Sequence, residues 1–267
     1  MGNYADIIDK MVWSYSRLSL YAQCKYAFYL KYIVNDPEQY LPEGNYYAEV
    51  GSYVHEILAK VFGGELTIDE ASEYYANNFE NNVFYRVKDS IMEKTYESCA
   101  NYFSDVDLKW IEDYEILGVE METTQNIRGY NFIGFIDLLL RDKNTGEITI
   151  VDHKSAAYPL SKKTGKVLKN SEKNFSSYKK QMYLYSYAVK QIYGVYPKWI
   201  MWNHFKSNDI VKIPFDIDEY NKAIDWLIET IHAIENDEEF SEGLDYFYCH
   251  TLCDFRNSCE YIHSKAG

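Results

Sequence analysis

Three side chains near the middle of the chain have the types and spacing for metal-assisted chemistry. Asp137 interrupts an otherwise apolar run, residues 131–141, within Gly134-Phe135-Ile136-Asp137. Asp152 and Lys154 end the next run as Asp152-His153-Lys154. Residues two apart on a strand share a face, so Asp152 and Lys154 point the same way. A carboxylate buried in a strand is costly unless it is paired or binds a metal. Two carboxylates on paired strands, with a lysine beside them, suit a hard cation. Mg²⁺ prefers oxygen ligands, usually one or two carboxylates completed by phosphate and water. Such an ion acidifies a bound water and polarises a phosphoryl oxygen. Lys154 would then orient the nucleophile or offset developing negative charge. The same three residues also fit a plain Asp–Lys ion pair closing a hairpin, and at this level both readings stand.

The elements that position them follow from periodicity. Residues 147–154 alternate and are rich in Ile, Thr and Val, and residues 142–146, Asp-Lys-Asn-Thr-Gly, carry turn chemistry. The runs 131–141 and 147–154 therefore read as an antiparallel hairpin, preceded by a strand over 115–121. Upstream, helical spacing predicts helices over 14–33, capped by Ser14 or Ser16, and over 49–62, stopping at Gly63-Gly64. Further helices are expected over 68–81 and 84–110, and residues 35–46, with Pro37, Pro42 and Gly44, read as a loop. Downstream come a helix over 175–193 ending at Gly194 and short strands over 199–205 and 210–215. A last helix reaches residue 236, opened by a capping box of Asp216 and Glu219. The expectation is a single α/β domain over 1–267, with a mainly helical part (1–114), a catalytic core (115–215) and a C-terminal helix with a cysteine-rich tail (216–267).

Net charge is −14, which taken alone argues against nucleic-acid binding. Its distribution matters more. Lys162, Lys163, Lys166, Lys169, Lys173, Lys179 and Lys180 face a single acid, Glu172, between residues 160 and 180. Such a run is commonly a solvated face; beside the Asp–Lys group it also suits a phosphate backbone. The N-terminus lacks a basic region followed by an apolar run, and no 18 consecutive residues are apolar. A cytoplasmic protein without a membrane span is expected. Of the five cysteines, three (Cys249, Cys253 and Cys259) fall within eleven residues. An odd count without a secretion signal argues against a disulfide framework. Thiolates select zinc or iron–sulfur clusters; zinc would have His250 or His263 at hand, and buried free thiols are the third possibility. Cys99 stands apart and reads as a small buried hydrophobe.

Taken in order, Gly134-Phe135-Ile136-Asp137, Ile150-Val151-Asp152-His153-Lys154 and Gln181-Met182-Tyr183-Leu184-Tyr185 resemble the PD-(D/E)XK nuclease superfamily, in particular its RecB-like branch. That branch includes helicase-associated nuclease domains and CRISPR adaptation nucleases. Gly51-Ser52-Tyr53-Val54-His55 resembles the branch's Gly-x-x-x-His motif, which implies His55 as a metal ligand. Glu120 matches an acidic catalytic position on the preceding strand, where the resemblance implies that it helps hold metal-bound water or else pairs with Lys154. The resemblance implies that Asp137, Asp152 and the backbone carbonyl of His153 also bind Mg²⁺ or Mn²⁺. It implies that Gln181 and Tyr185, at i and i+4 on one helix face, lie near the DNA backbone with Lys162, Lys163, Lys179 and Lys180. Cys24 with the three tail cysteines resembles the branch's 4Fe-4S staple. Here three residues, not the usual two, separate Cys249 from Cys253.

The resemblance implies a restriction-endonuclease-like core, a small mixed sheet flanked by helices beside a helical N-terminal segment. It implies a metal-dependent deoxyribonuclease, expected as an exonuclease on single-stranded or duplex-end DNA in recombination, repair or replication, with a helicase or recombination partner. A non-catalytic nucleic-acid-binding or assembly module and a CRISPR adaptation nuclease are the rival readings.

Overall fold

The computed structural model describes residues 4–40, 44–106, 108–243 and 245–264, with side chains through residue 262. Pro42 of the expected loop and the side chain of His263 lie outside the described residues. The helices run α1 Ala5–Ile8, α2 Tyr15–Gln23, α3 Lys25–Phe28, α4 Tyr46–Phe62, α5 Ile68–Asn82, α6 Asp89–Asp105, α7 Glu172–Tyr193, α8 Ile217–Glu235 and α9 Glu260–Ser264. The strands are β1 Tyr114–Ile127, β2 Tyr130–Asp142, β3 Ile148–Lys154, β4 Trp199–His204 and β5 Asp209–Pro214, side by side in that order. A mixed five-stranded sheet flanked by helices, following a helical N-terminal region, is the restriction-endonuclease-like α/β arrangement.

The chain forms two compact units that interleave along the sequence: residues 46–123 with 135–223, and residues 1–45 with 124–134 and 224–267. In the first unit, β2 and β3 pair antiparallel from Leu138↔Val151 to Arg141↔Ile148. The Asp142 carboxylate accepts the N–H groups of Asn144 and Thr145 at 2.9 and 2.8 Å, and Gly146 takes the left-handed conformation (φ 73°) that the turn requires. β3 and β4 pair in parallel, Thr149↔Trp199 to Lys154↔His204, with α7 as the crossover. Parallel neighbours need such a connection, and helices then cover both faces of the sheet. This is why β2 and β3 read as nearly unbroken apolar runs. Leu138, Leu140, Val151 and Met201 pack in one core with α4, α5 and α6. On the other face Phe175 of α7 meets Trp202 edge-on, with ring centroids 5.0 Å apart.

The observed elements depart from the periodicity at several places. β1 continues to Ile127 because Arg128 and Gly129, both left-handed (φ 50° and 100°), make a two-residue hairpin turn into β2. α6 starts only at Asp89; the preceding Phe84 and Tyr85 N–H groups are held by the Glu49 carboxylate, each at 2.8 Å. The Asp216 carboxylate accepts from Glu219 N–H at 3.1 Å, but the Glu219 carboxylate bonds Lys222 and Lys179. The reciprocal capping box forms instead at Thr67 and Glu70, ahead of α5. In the second unit the helix expected over 14–33 breaks at Cys24, whose backbone is extended (φ −157°, ψ 109°). Its thiol then accepts the Ala27 N–H at 3.4 Å, so Cys24 ends α2 and caps α3. Trp13 adds a bridge to Phe132 at the hairpin tip in the same unit.

Leu138 has no exposed surface and sits next to Asp137 in β2. Leu138→Ala is expected to cost roughly 2–5 kcal/mol, read as a lower urea midpoint with an unchanged denaturant slope.

Candidate active site

The β2–β3 ladder stops at Leu138↔Val151, so the next facing pair in register is Asp137 and Asp152. Here the strands open. The Asp137 Oδ2 takes the N–H of His153 at 2.7 Å, a donor that a continuing ladder would have given to a carbonyl. Burial and the nearby Asp152 charge push the Asp137 carboxyl up to about 7, opposed by His55 and by the His153 N–H. Asp152 is itself buried, and its two oxygens lie 3.0 and 2.8 Å from Lys154 Nζ. The burial of Lys154 works against its charge, but Asp152 outweighs that and holds the amine above its ordinary value.

Two residues of α7 complete the surroundings of Lys154. The Gln181 Oε1 accepts from Nζ at 3.0 Å, and its amide donates to the Tyr185 hydroxyl at 3.3 Å. Tyr185 is buried. The sequence motif thus lies on the inner face of α7 and grips the lysine. Tyr178, which no motif marked, places its ring centroid 4.6 Å from Nζ. The signal that would have found it is spacing: Tyr178 precedes Gln181 by three residues, one helical turn on the same face.

From α4, His55 places Nε2 at 2.9 Å from the His153 carbonyl oxygen and Nδ1 at 3.5 Å from Asp137 Oδ2. Its Nδ1 is 3.9 Å from Glu120 Oε1. Burial disfavours the charged ring, yet Glu120, Asp137 and Asp152 together hold it above the ordinary histidine value. Glu120 reaches this position from a left-handed backbone (φ 45°) within β1. For a residue other than glycine that conformation costs about 1–2 kcal/mol, and such strain gathers where geometry serves a site. His55, Glu120 and Asp137 each offer a ligand atom, all within 4.8 Å of one another. The Asp152 carboxylate faces Lys154, outside that group of three.

The His153 imidazole points away from these carboxylates. It stacks on Phe62 at 5.6 Å between centroids, its Nδ1 is 3.1 Å from the Asn203 amide, and burial holds the ring well below the usual pKa. The carbonyl of His153 is the atom presented to His55. The lysines nominated for DNA contact divide. Lys162 pairs with Asp209 at 3.1 Å and Lys179 with Glu219 at 3.3 Å. Lys163 is exposed, whereas Lys180 is half-buried and its pKa is lowered by burial.

In the other unit Cys24, Cys249, Cys253 and Cys259 line one cavity of about 440 Å³. None is in a disulfide. The Cys24 Sγ accepts the Gly243 N–H at 3.1 Å. A Cβ on Gly243 would lie 2.8 Å from the Gln23 carbonyl and 3.0 Å from the Cys24 Cβ, so this contact needs glycine. Residues 248–252 form a wide π-type turn, in which Cys253 N–H bonds Tyr248 O at 2.8 Å. Such a turn holds one residue more than an α-turn, and it spans the three residues between Cys249 and Cys253. His250 also lines the cavity, against the Tyr246 ring at 4.2 Å. Cys99 is fully buried in the first unit, and burial pushes its thiol up to about 11.

The sequence profile of the PD-(D/E)XK nuclease superfamily matches residues 12–260, and the chain belongs to that superfamily. Membership implies a metal-dependent nuclease. No curated protein matches the chain in sequence. Among the described residues no helix is long and apolar enough to cross a membrane.

The raised Asp137 carboxyl sets a pH dependence for the metal-free protein. The folded state keeps a proton that the unfolded chain releases above about pH 4, the ordinary aspartate range. The stability associated with that proton is present below pH 4 and is lost as pH rises through about 7. Asp137→Asn is therefore expected to raise the thermal midpoint of the EDTA-treated protein at pH 8 and to leave it nearly unchanged at pH 4.

Proposed function

We propose that this chain is a Mg²⁺- or Mn²⁺-dependent deoxyribonuclease of the RecB-like branch, acting as an exonuclease on single-stranded or duplex-end DNA. The observation that carries the reading is the convergence of His55, Glu120 and Asp137 beside the Asp152–Lys154 pair. The residues that would hold the ion are His55, Asp137, Asp152 and the His153 carbonyl, with Glu120 adjoining. Imidazole, carboxylate and carbonyl donors suit Mg²⁺ or Mn²⁺. When bound, the ion supplies an acidified water and neutralises charge on the phosphoryl group.

The chain's own residues do the remaining work. Lys154 carries a fixed positive charge into a dry site, where it counters negative charge developing on the phosphate. Gln181 and Tyr178 hold its amine, and Tyr185 holds Gln181, so Lys154 needs little rearrangement as charge builds. Gln181 and Tyr185 thereby serve the reaction through the lysine. The exposed lysines of 162–173 present charge to the phosphate backbone.

The four thiols around one cavity favour the 4Fe-4S staple, with Cys24, Cys249, Cys253 and Cys259 as ligands and zinc as the rival. The cluster would tie α2 and α3 to the C-terminal tail. The reading places the protein as a single nuclease domain, in the cytoplasm, in recombination, repair or replication, alongside a helicase or recombination partner.

With Mn²⁺ the protein is expected to shorten linear DNA and spare circles, and EDTA should abolish the activity. Lys154→Ala and Asp152→Ala should each lower kcat by about 10²–10³-fold, the scale of losing one positioned electrostatic group. Unchanged cleavage in either variant would overturn the assignment. Anaerobically purified protein is expected to be brown, with a broad band near about 400 nm from iron–sulfur charge transfer, lost in Cys253→Ser. A colourless protein containing stoichiometric zinc would refute the cluster.

A further inference from the structure

Three of the four Lys or Arg residues in the first 45 positions, Lys10, Arg17 and Lys31, converge on one groove of about 660 Å³. Tyr32 and Tyr40 lie between them. The groove belongs wholly to the unit that contains the cysteine cavity. The same unit is acidic elsewhere: its residues 224–255 contain no Lys or Arg at all. A cationic groove on such a background concentrates the local field where an anion would bind.

Two of the three charges in the groove, Lys10 and Arg17, have no carboxylate partner among the described residues. The Arg17 guanidinium carbon lies over Tyr32, 4.4 Å from the ring centroid, and one of its Nη atoms donates to the Val12 carbonyl. It has no carboxylate partner among the described residues, and its Nε is shut off from water without an acceptor. Lys10 is exposed. Lys31 pairs with Asp254 at 3.1 Å, with both side chains more than a third exposed. A pair so exposed holds weakly and exchanges readily for a phosphate. The one acid lining the groove, Asp36, spends an oxygen on the Glu38 and Gln39 N–H groups at 2.9 and 3.2 Å. Cations interleaved with tyrosine rings in an open groove match what a single nucleic-acid strand requires. Its phosphates meet the charges, while its bases stack on aromatic and guanidinium planes.

We propose that this groove is a binding site for a single DNA strand, separate from the carboxylate site, with Arg17 and Lys10 contacting phosphate and Tyr32 and Tyr40 stacking bases. The proposal rests on the nuclease reading above, which supplies DNA as the ligand.

The test is fluorescence anisotropy of the full chain with a short labelled oligothymidylate, in EDTA to prevent cleavage, over a series of salt concentrations. Lys10→Gln and Arg17→Gln should each weaken binding and flatten the slope of log K against log salt by about 0.7, the value for one phosphate contact on a single strand. Tyr32→Leu should weaken binding by about 5- to 150-fold, the range for one stacked base, and leave the slope alone. Lys10 is exposed, so its variant also serves where the Arg17 variant unfolds. Affinity and slope unchanged in Lys10→Gln, or thymidine monophosphate competing as well as the oligonucleotide, would overturn the strand site. Mn²⁺-dependent cleavage by the wild type is scored separately. Its presence alongside unaltered binding in the groove variants overturns this inference alone, and its absence overturns the nuclease reading.

Discussion

Two carboxylates, Asp137 and Asp152, face each other where the β2–β3 ladder opens, largely out of water. Like charges so placed repel, and the rest of the site is arranged around that repulsion. Lys154 neutralises Asp152 from the same strand face, and His55 approaches Asp137 from α4. What remains is visible in Asp137, whose carboxyl sits near 7 without a cation. Superfamily membership implies a divalent metal, and under the proposed function that ion would lower the energy of both carboxylates together.

The sheet makes this pairing possible and confines it. β3 is buried on both faces, so a one-residue slip would carry Asp152 and Lys154 into the apolar core beside α4 and send the His153 ring toward α7. Asp152, His153 and Lys154 are thereby fixed in alternation: carboxylate and amine toward α7, imidazole into the core against Phe62. Glu120 is held by other means, a left-handed residue within a strand. Its placement costs backbone energy and brings a further oxygen toward His55.

Much of this was legible in the sequence. Asp-x-Lys at a strand end, an Asp inside an apolar run and a Gln–Tyr pair at helical spacing fix side-chain direction through periods of 2 and 3.6, which are local properties. The helix break at Cys24 was not legible, because Leu18, Tyr21 and Tyr26 keep helical spacing across it; the cause is a contact with Gly243, more than 200 residues away. The long β1 was hidden because its polar end, Thr-Thr-Gln-Asn, lacks a strand pattern and is fixed by the turn at Arg128-Gly129. Tyr178 was missed because a ring beneath a lysine is a tertiary contact that no local pattern announces. The wide turn over 248–252 was not legible either, because the bond from Cys253 N–H to the Tyr248 carbonyl that closes it has no residue signature.

A cation site and a plain ion pair with Lys154 differ in what the facing carboxylates do when a divalent ion is added. Calorimetric titration of Mn²⁺ near pH 7, repeated in buffers of different ionisation enthalpy, tests that difference most directly. Metal binding must displace protons from ligands that hold them. A cation site binds Mn²⁺ saturably with proton release, and Asp137→Asn loses that release. Absence of Mn²⁺ binding, or binding that is indifferent to buffer and to Asp137→Asn, would contradict the cation site.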